Sequence, residues 1–188
     1  MKIEVAVIVS VVSAIIAAVS AGIAYRNYRR EQLNQKIAAA KWQREYFVDL
    51  LKWSDECLLQ LSEALHLCDL DPQRCEKRKF FDARHTLRIR LSAQIDRGRW
   101  FFPNYAAEEH GQHKEGAFRG YRPAVLDALV YAYRSVTSLN YVDGSQNGPR
   151  RKELETAKRQ FTSEIQAVLD PRQRDEEFRR LIGRVQGV

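Results

Sequence analysis

Proline is absent from the first 71 residues, and Gly22 is the only glycine before Gly98. Nothing between Gly22 and Asp69 breaks a helix, so one helix is expected to run on until Asp71-Pro72 ends it. Period-two alternation is missing as well, which argues against a sheet-based fold. The cysteines are few: Cys57, Cys68 and Cys75, an odd number without paired spacing. That excludes a disulfide scaffold and fits free thiols in a reducing cytosol. No glycine-rich phosphate loop, nucleophile elbow or paired-carboxylate helix motif occurs. No catalytic residue, cofactor or metal site is therefore assigned.

Charge is missing from residues 5–24, VAVIVSVVSAIIAAVSAGIA. At ~1.5 Å of rise per residue, such a run matches the ~30 Å hydrocarbon core of a bilayer. A cleaved signal peptide is the competing reading, because Val19-Ser20-Ala21 resembles a small-residue cleavage site. The apolar run is too long for a signal core, and only Lys2 precedes it, opposed by Glu4. An uncleaved anchor is the expectation. The basic cluster Tyr25-Arg26-Asn27-Tyr28-Arg29-Arg30 follows, and Lys36 and Lys41 extend it, so everything from Tyr25 onward is expected inside. The protein is thus expected in the cell membrane, single-pass, with its N-terminus outside and the bulk of the chain cytoplasmic. Within the run Ala6, Ser10, Ala14, Ala18 and Gly22 recur every four residues, with Ser13, Ala17 and Ala21 in a parallel row. Small residues at this spacing let two membrane helices approach closely, although they are also common in membrane helices generally.

Beyond the anchor the pattern is helical. Phe47, Leu51, Ser54, Leu58, Leu61, Leu65 and Cys68 step alternately by four and three. A flanking row of Trp42, Tyr46, Leu50, Trp53, Cys57 and Ala64 widens the buried face to that of a bundle helix. A second helix is expected from about Cys75 to Arg97, with Phe80, Ala83, Leu87 and Leu91 inward and Gly98 as its stop. A third starts at Pro123, with Val125, Leu129, Ala132, Val136 and Leu139 in the core. After turn chemistry at 143–148, Pro149 is expected to open a fourth with Leu154, Ala157, Phe161, Ile165 and Val168 inward. Asp170-Pro171 reads as the start of a short last helix carrying Phe178, Leu181 and Val185. The expected fold is all-α: a transmembrane anchor over 1–25, a helical stalk over 26–40 that would lift the domain off the membrane, and an antiparallel bundle of about four helices over 41–188.

The net charge of +7 is concentrated in residues 71–99, which hold nine basic and four acidic side chains. Arg74, Lys77, Arg84 and Arg88 run along one side of the second helix with Arg78 just beyond, and Lys79 and Arg90 lie on the other border. With Arg97, Arg99 and Trp100 they form the candidate surface for an anion or a partner. The anionic cytoplasmic leaflet, an acidic protein and nucleic acid are its candidate ligands. Long basic side chains that merely snorkel beside a buried face are the plain alternative. The run Trp100-Phe101-Phe102-Pro103-Asn104-Tyr105 either plugs the bundle end or forms an exposed aromatic patch. Glu108, Glu109, His110, His113 and Glu115 share one loop and are the types that ligate zinc. However, Gly111 lies between the histidines and no helix fixes them, so a solvated loop is expected. His66, Cys68 and Cys75 cluster around a helix end, where a core or rim role is expected.

The function expected from these features is a membrane-anchored helical interaction or scaffold module rather than an enzyme. Its partners would be membrane lipids and either a second copy of the chain or another membrane protein. Two alternatives stay open. One is a membrane-tethered nucleic-acid-binding protein using the basic 74–99 helix and the aromatic turn. The other is a metal-dependent enzyme using the 108–115 loop.

Overall fold

The long proline-free stretch forms a single helix, α1, Lys2–Cys68, in the computed structural model. The structure describes residues 2–71, 73–142, 147–170 and 172, with side chains from Val12 onward. Three further α-helices follow: α2 Lys77–Gly98, α3 Ala124–Thr137 and α4 Asn147–Leu169, with a 3-10 turn at Gly116–Phe118. Among the described residues there is no strand, only an isolated bridge between Tyr105 and Tyr121. The protein is all-α. The expected last helix, with Phe178, Leu181 and Val185, lies outside the described residues, as does turn 143–146.

The chain divides into two units, Met1–Val48 and Asp49–Val188. In the first, α1 exposes Val12, Ile15, Ile16, Val19 and Ile23, each between 49% and 59%. Arg29 lies over the Tyr25 ring at 5.5 Å, and Gln32 Nε2 donates to Tyr28 Oη at 2.7 Å. Among the described residues no helix is long and apolar enough to cross a membrane. The side chains of residues 5–11, the first part of the expected anchor, lie outside the described ones, Ala6 and Ser10 among them.

In the second unit neighbouring helices run antiparallel. Glu56 and Glu63 on α1 meet Arg97 and Arg90 on α2, in reverse order. Arg84 on α2 reaches Leu139 beyond the end of α3, whereas Gly98 at the other end of α2 meets Leu126. Ser135 on α3 meets Glu153 on α4, and α4 returns along α1 through Lys158 to Ser62 and Arg151 to Asp69. This four-helix arrangement encloses a core in which Trp53, Phe161, Leu61, Leu91, Leu126 and Leu129 are fully buried.

The core rows of α3 and α4 follow the sequence closely. Val125, Leu129, Ala132, Val136 and Leu139 are all buried, as are Leu154, Ala157, Phe161 and Ile165. Three details differ. On α1 the buried row is Leu50, Trp53, Cys57, Leu61, Ala64 and Leu67, while Leu51 is 40% exposed and Leu58 and Leu65 are half-buried. The expected flanking row is thus nearer the centre. Trp53 sets that rotation: its Nε1 donates to Gln94 O at 3.1 Å, and its ring packs on Phe161 at 5.6 Å. On α2, Ala83 is exposed and Arg84 takes the inward place. It is half-buried, and its guanidinium reaches Leu139 O at 2.7 Å. At the end of α4, Val168 is exposed and Leu169 is buried.

Gly98 does not stop α2 through a left-handed turn. It lies inside the helix and is needed for space: a Cβ there would collide with Leu126 Cδ2 and come within 2.6 Å of Trp53 Cζ2. The start of α4 also moves, to Asn147, which is buried. Asn147 Nδ2 donates to Asn140 O at 2.7 Å, and its Oδ1 accepts from Asn140 N at 2.9 Å. One amide thus ties both sides of the link between α3 and α4.

Candidate functional site

The basic residues of α2 separate into three groups. Arg74, Lys77 and Arg78 stand exposed at its start, where Arg74 pairs with Asp71 at 3.6 Å and Arg78 with Asp82 at 3.8 Å. Arg84 and Arg88 are turned onto the fold. Arg84 bonds Leu139 O and lies over the Phe81 ring at 4.7 Å. Arg88 lies over the Tyr133 ring at 5.8 Å. Arg97 and Arg99 belong to the other end. A helix of 22 residues is roughly 33 Å long, so the first and last groups cannot share one small ligand. Charge reversal at Arg84 and Arg88 would therefore disturb the fold whether or not an anion binds there. Arg74, Lys77, Arg78 and Lys79 are the exposed members at this end.

Arg97 closes a polar cluster between α1 and α2. Its Nη1 donates to Glu56 Oε2 at 2.7 Å, and Gln94 Nε2 donates to the same oxygen at 2.8 Å. The hydrogen bond from Gln94, with Arg97 adding to it, holds the Glu56 carboxyl below the ordinary range.

The aromatic run divides between the two expected roles. Phe101 and Phe102 pack on Trp53, with ring centroids 5.6 and 5.8 Å away, and close this end of the bundle. Trp100, next to them, is 77% exposed. The reason is geometric: α2 ends at Gly98, and the tight turns in which Phe101 N and Phe102 N bond Gly98 O aim successive side chains differently.

Residues 99–122 follow, without a helix longer than one 3-10 turn, yet they are closely stitched. Tyr105 and Tyr121 exchange backbone bonds of 3.1 and 2.8 Å, and Gly120 N bonds His110 O at 2.8 Å. Asn104 Nδ2 donates to Arg119 O, and Arg119 Nε to Lys114 O, both at 2.8 Å. Gly120 holds φ at +81°, and a Cβ there would collide with Tyr105 O, so only glycine fits. Ala106 has φ +52°, a conformation uncommon outside glycine, so the loop carries backbone strain.

This loop and the start of α3 enclose a cleft of about 620 Å³. Arg99, Lys114 and Arg122 supply its cations, and Glu115 and Asp127 its carboxylates. Arg122 Nη1 donates to Asp127 Oδ1 at 3.0 Å. Arg99 lies over the Phe118 ring at 4.4 Å and donates to Ala117 O at 3.2 Å. Its Nε is 3.6 Å from Asp96 Oδ1, too far for a hydrogen bond. The Nε atoms of Arg99 and Arg122 are buried and have no hydrogen-bond partner. His110 stacks on Tyr121 at 4.7 Å, and Tyr105 lies 5.8 Å from Tyr121 at a tilt.

The chain matches no protein-family model, no curated protein and no solved structure. Its site chemistry therefore rests on its own geometry.

The ligand types of the 108–115 loop do not converge. Among the described residues no three His, Cys, Asp or Glu are grouped to hold a metal ion. Cys57 and Cys68 are buried and Cys75 half-buried, all three free. Burial pushes the Cys68 thiol up to about 11 and raises Cys57 further still. Of the small-residue row in α1, Ala14, Ala18 and Gly22 are exposed, and nothing lies within 4 Å of a Cβ built at Gly22.

Sequence reading reached Arg99 but missed Arg122, Asp127, Gly120 and Tyr121. A signal was available. A helix-poor link of some 25 residues inside a bundle is longer than such links usually are, and lengths of this kind often serve function. Its two prolines also sit symmetrically, in Pro103-Asn104-Tyr105 and Tyr121-Arg122-Pro123. Those tripeptides flank the bridge.

Proposed function

We propose that this protein is a membrane-anchored helical module that self-associates, or docks another membrane protein, at the cytoplasmic face. The observation that carries the reading is the surface of the N-terminal part of α1. Val12, Ile15, Ile16, Val19 and Ile23 stand exposed around a helix that bears no charge between residues 5 and 24. Water solvates such a surface poorly, and lipid solvates it well. The rest of the anchor argument is the sequence: the apolar length and the flank. Tyr25 and Tyr28 suit the membrane interface, and Arg26, Arg29 and Arg30 favour the cytoplasmic side. Free, buried thiols at Cys57 and Cys68 agree with a reducing compartment for the bundle.

Two measurements on the full chain test this. The protein should remain in the membrane fraction after an alkaline carbonate wash. A reporter fused after Val188 should be active if it works only in the cytosol, and silent if it is a phosphatase that works only outside. Extraction by carbonate, or the reverse reporter pattern, would overturn the anchor and its orientation respectively. For association, Ala14→Ile or Ala18→Ile should sharply lower signal in a membrane two-hybrid assay, because a bulky side chain separates close-packed backbones. Ile15→Leu should have little effect. Association that survives both Ile substitutions would remove the small-residue row as the contact.

A further inference from the structure

The cleft beside the 99–122 loop has no role in the anchor-and-bundle reading. We propose that it binds a small ligand that joins a planar ring to one oxyanion group, the chemistry of a mononucleotide. The proposal goes beyond the membrane module and does not depend on it.

Four observations lead there. The first is size and build: about 620 Å³ lies within the range of small-molecule sites. The second is cationic lining. Arg99, Lys114 and Arg122 all border the cleft. Guanidinium groups match oxyanions best. The third is the aromatic wall of Tyr105, Tyr121 and His110, on which a flat ring could stack. Tyr105 is 60% exposed, so a large part of its ring is open to such contact. The fourth is rigidity. The Tyr105–Tyr121 bridge and the glycine-only turn at Gly120 hold the wall in place before any ligand arrives, which lowers the entropic cost of binding.

Charge decides between a small ligand and a polyanion. The three cations of the cleft face Glu115 and Asp127, and Asp96 lies beside Arg99. That balance leaves little excess positive charge. A strand of nucleic acid, which binds mainly through accumulated phosphate contacts, would find few. One anionic group on a ring needs only the two arginines.

The test is calorimetric titration of the full-length protein in detergent micelles with AMP, adenosine, inorganic phosphate and a short single-stranded DNA. AMP should bind, and adenosine and phosphate should each bind at least about tenfold more weakly. Arg122→Gln and Tyr105→Leu should each weaken AMP by about tenfold. Arg122 and its partner Asp127 are both half-buried at the cleft edge, and Tyr105 holds the bridge by its backbone, so helical content and unfolding midpoint should stay near wild type. Lys77→Gln, at the far end of α2, should leave AMP binding unchanged. Absent AMP binding would overturn the proposal, as would AMP binding equal in wild type and both folded variants. Phosphate binding as tight as AMP would overturn the ring contact. DNA that binds more tightly than AMP, with a steep salt dependence, would overturn the small ligand in favour of a strand.

Discussion

Helix α3 and the 99–122 loop adjoin in the chain and are built on opposite principles. In α3 every expected core position is buried, and its backbone is held by the local hydrogen bonds of a helix. The loop has few deeply buried side chains. It is held by bonds between residues far apart in sequence, such as Asn104 to Arg119 and Tyr105 to Tyr121. The helix therefore depends on the volume of its side chains, the loop on a few polar atoms and one backbone angle. Truncating side chains should damage the first, and changing a glycine should damage the second.

The largest effect should come where the aromatic start of the loop meets the helical core. Trp53 is fully buried and carries Phe101, Phe102 and Phe161 on its ring. Trp53→Ala should cost about 3–5 kcal/mol in denaturant unfolding of the full chain. Trp100→Ala, at a site 77% exposed, should stay within about 0.5 kcal/mol. Equal losses would show that the aromatic run is not divided between plug and surface.

Gly120→Ala comes next. Its positive φ and the approach of Tyr105 O leave no place for a methyl group, so a cost of about 2 kcal/mol or more is expected. The damage should be local. Circular dichroism should keep its helical amplitude while limited proteolysis opens the chain between residues 105 and 121. Gly116→Ala, with nothing within 4 Å, is the matched control and should be nearly neutral. Global unfolding in Gly120→Ala would mean that the loop and the helices form one cooperative unit.

A smaller effect is expected from pH. A hydrogen bond from Gln94 depresses the Glu56 carboxyl, and one from Ser135, aided by Arg150, depresses Glu153. A carboxyl lowered in the folded state adds stability that is present above its unfolded value, near 4.5, and is lost as pH falls through the folded value. The unfolding midpoint should hold from pH 7 to about 5 and then decline. The decline should be shallower in Glu56→Gln. An unchanged slope would remove the α1–α2 polar cluster as its source.

The smallest change is one of reactivity alone. Cys75 is half-buried, whereas Cys57 and Cys68 are buried thiols held in their protonated form. A maleimide at neutral pH should label Cys75 first and the other two only on unfolding.

The helices were largely legible because their information is local. Val125, Leu129, Ala132, Val136 and Leu139 repeat at helical spacing, and one face follows from that repeat. The rotation of α1 was less legible. Two apolar rows lay side by side, and the choice between them came from Trp53 finding Gln94 O, 41 residues away. Arg84 misled for a similar reason. Beside an apolar stripe it reads as a surface cation, yet a carbonyl at Leu139, 55 residues on, takes its guanidinium.

By itself, the sequence determined that this protein is helical, where its helices start and end to within a few residues, and that an uncharged run of twenty residues opens the chain. Each of those properties depends on neighbours within a turn or two, or on simple length. Only the tertiary structure decided which basic residues of α2 face the fold. It also decided which of the three aromatics after Gly98 is exposed, and that Arg99 and Arg122 border one cleft. Those outcomes depend on distant partners, such as Tyr133 for Arg88 and Leu139 for Arg84, 45 and 55 residues on, and chain closure over such distances leaves no periodic trace in the sequence.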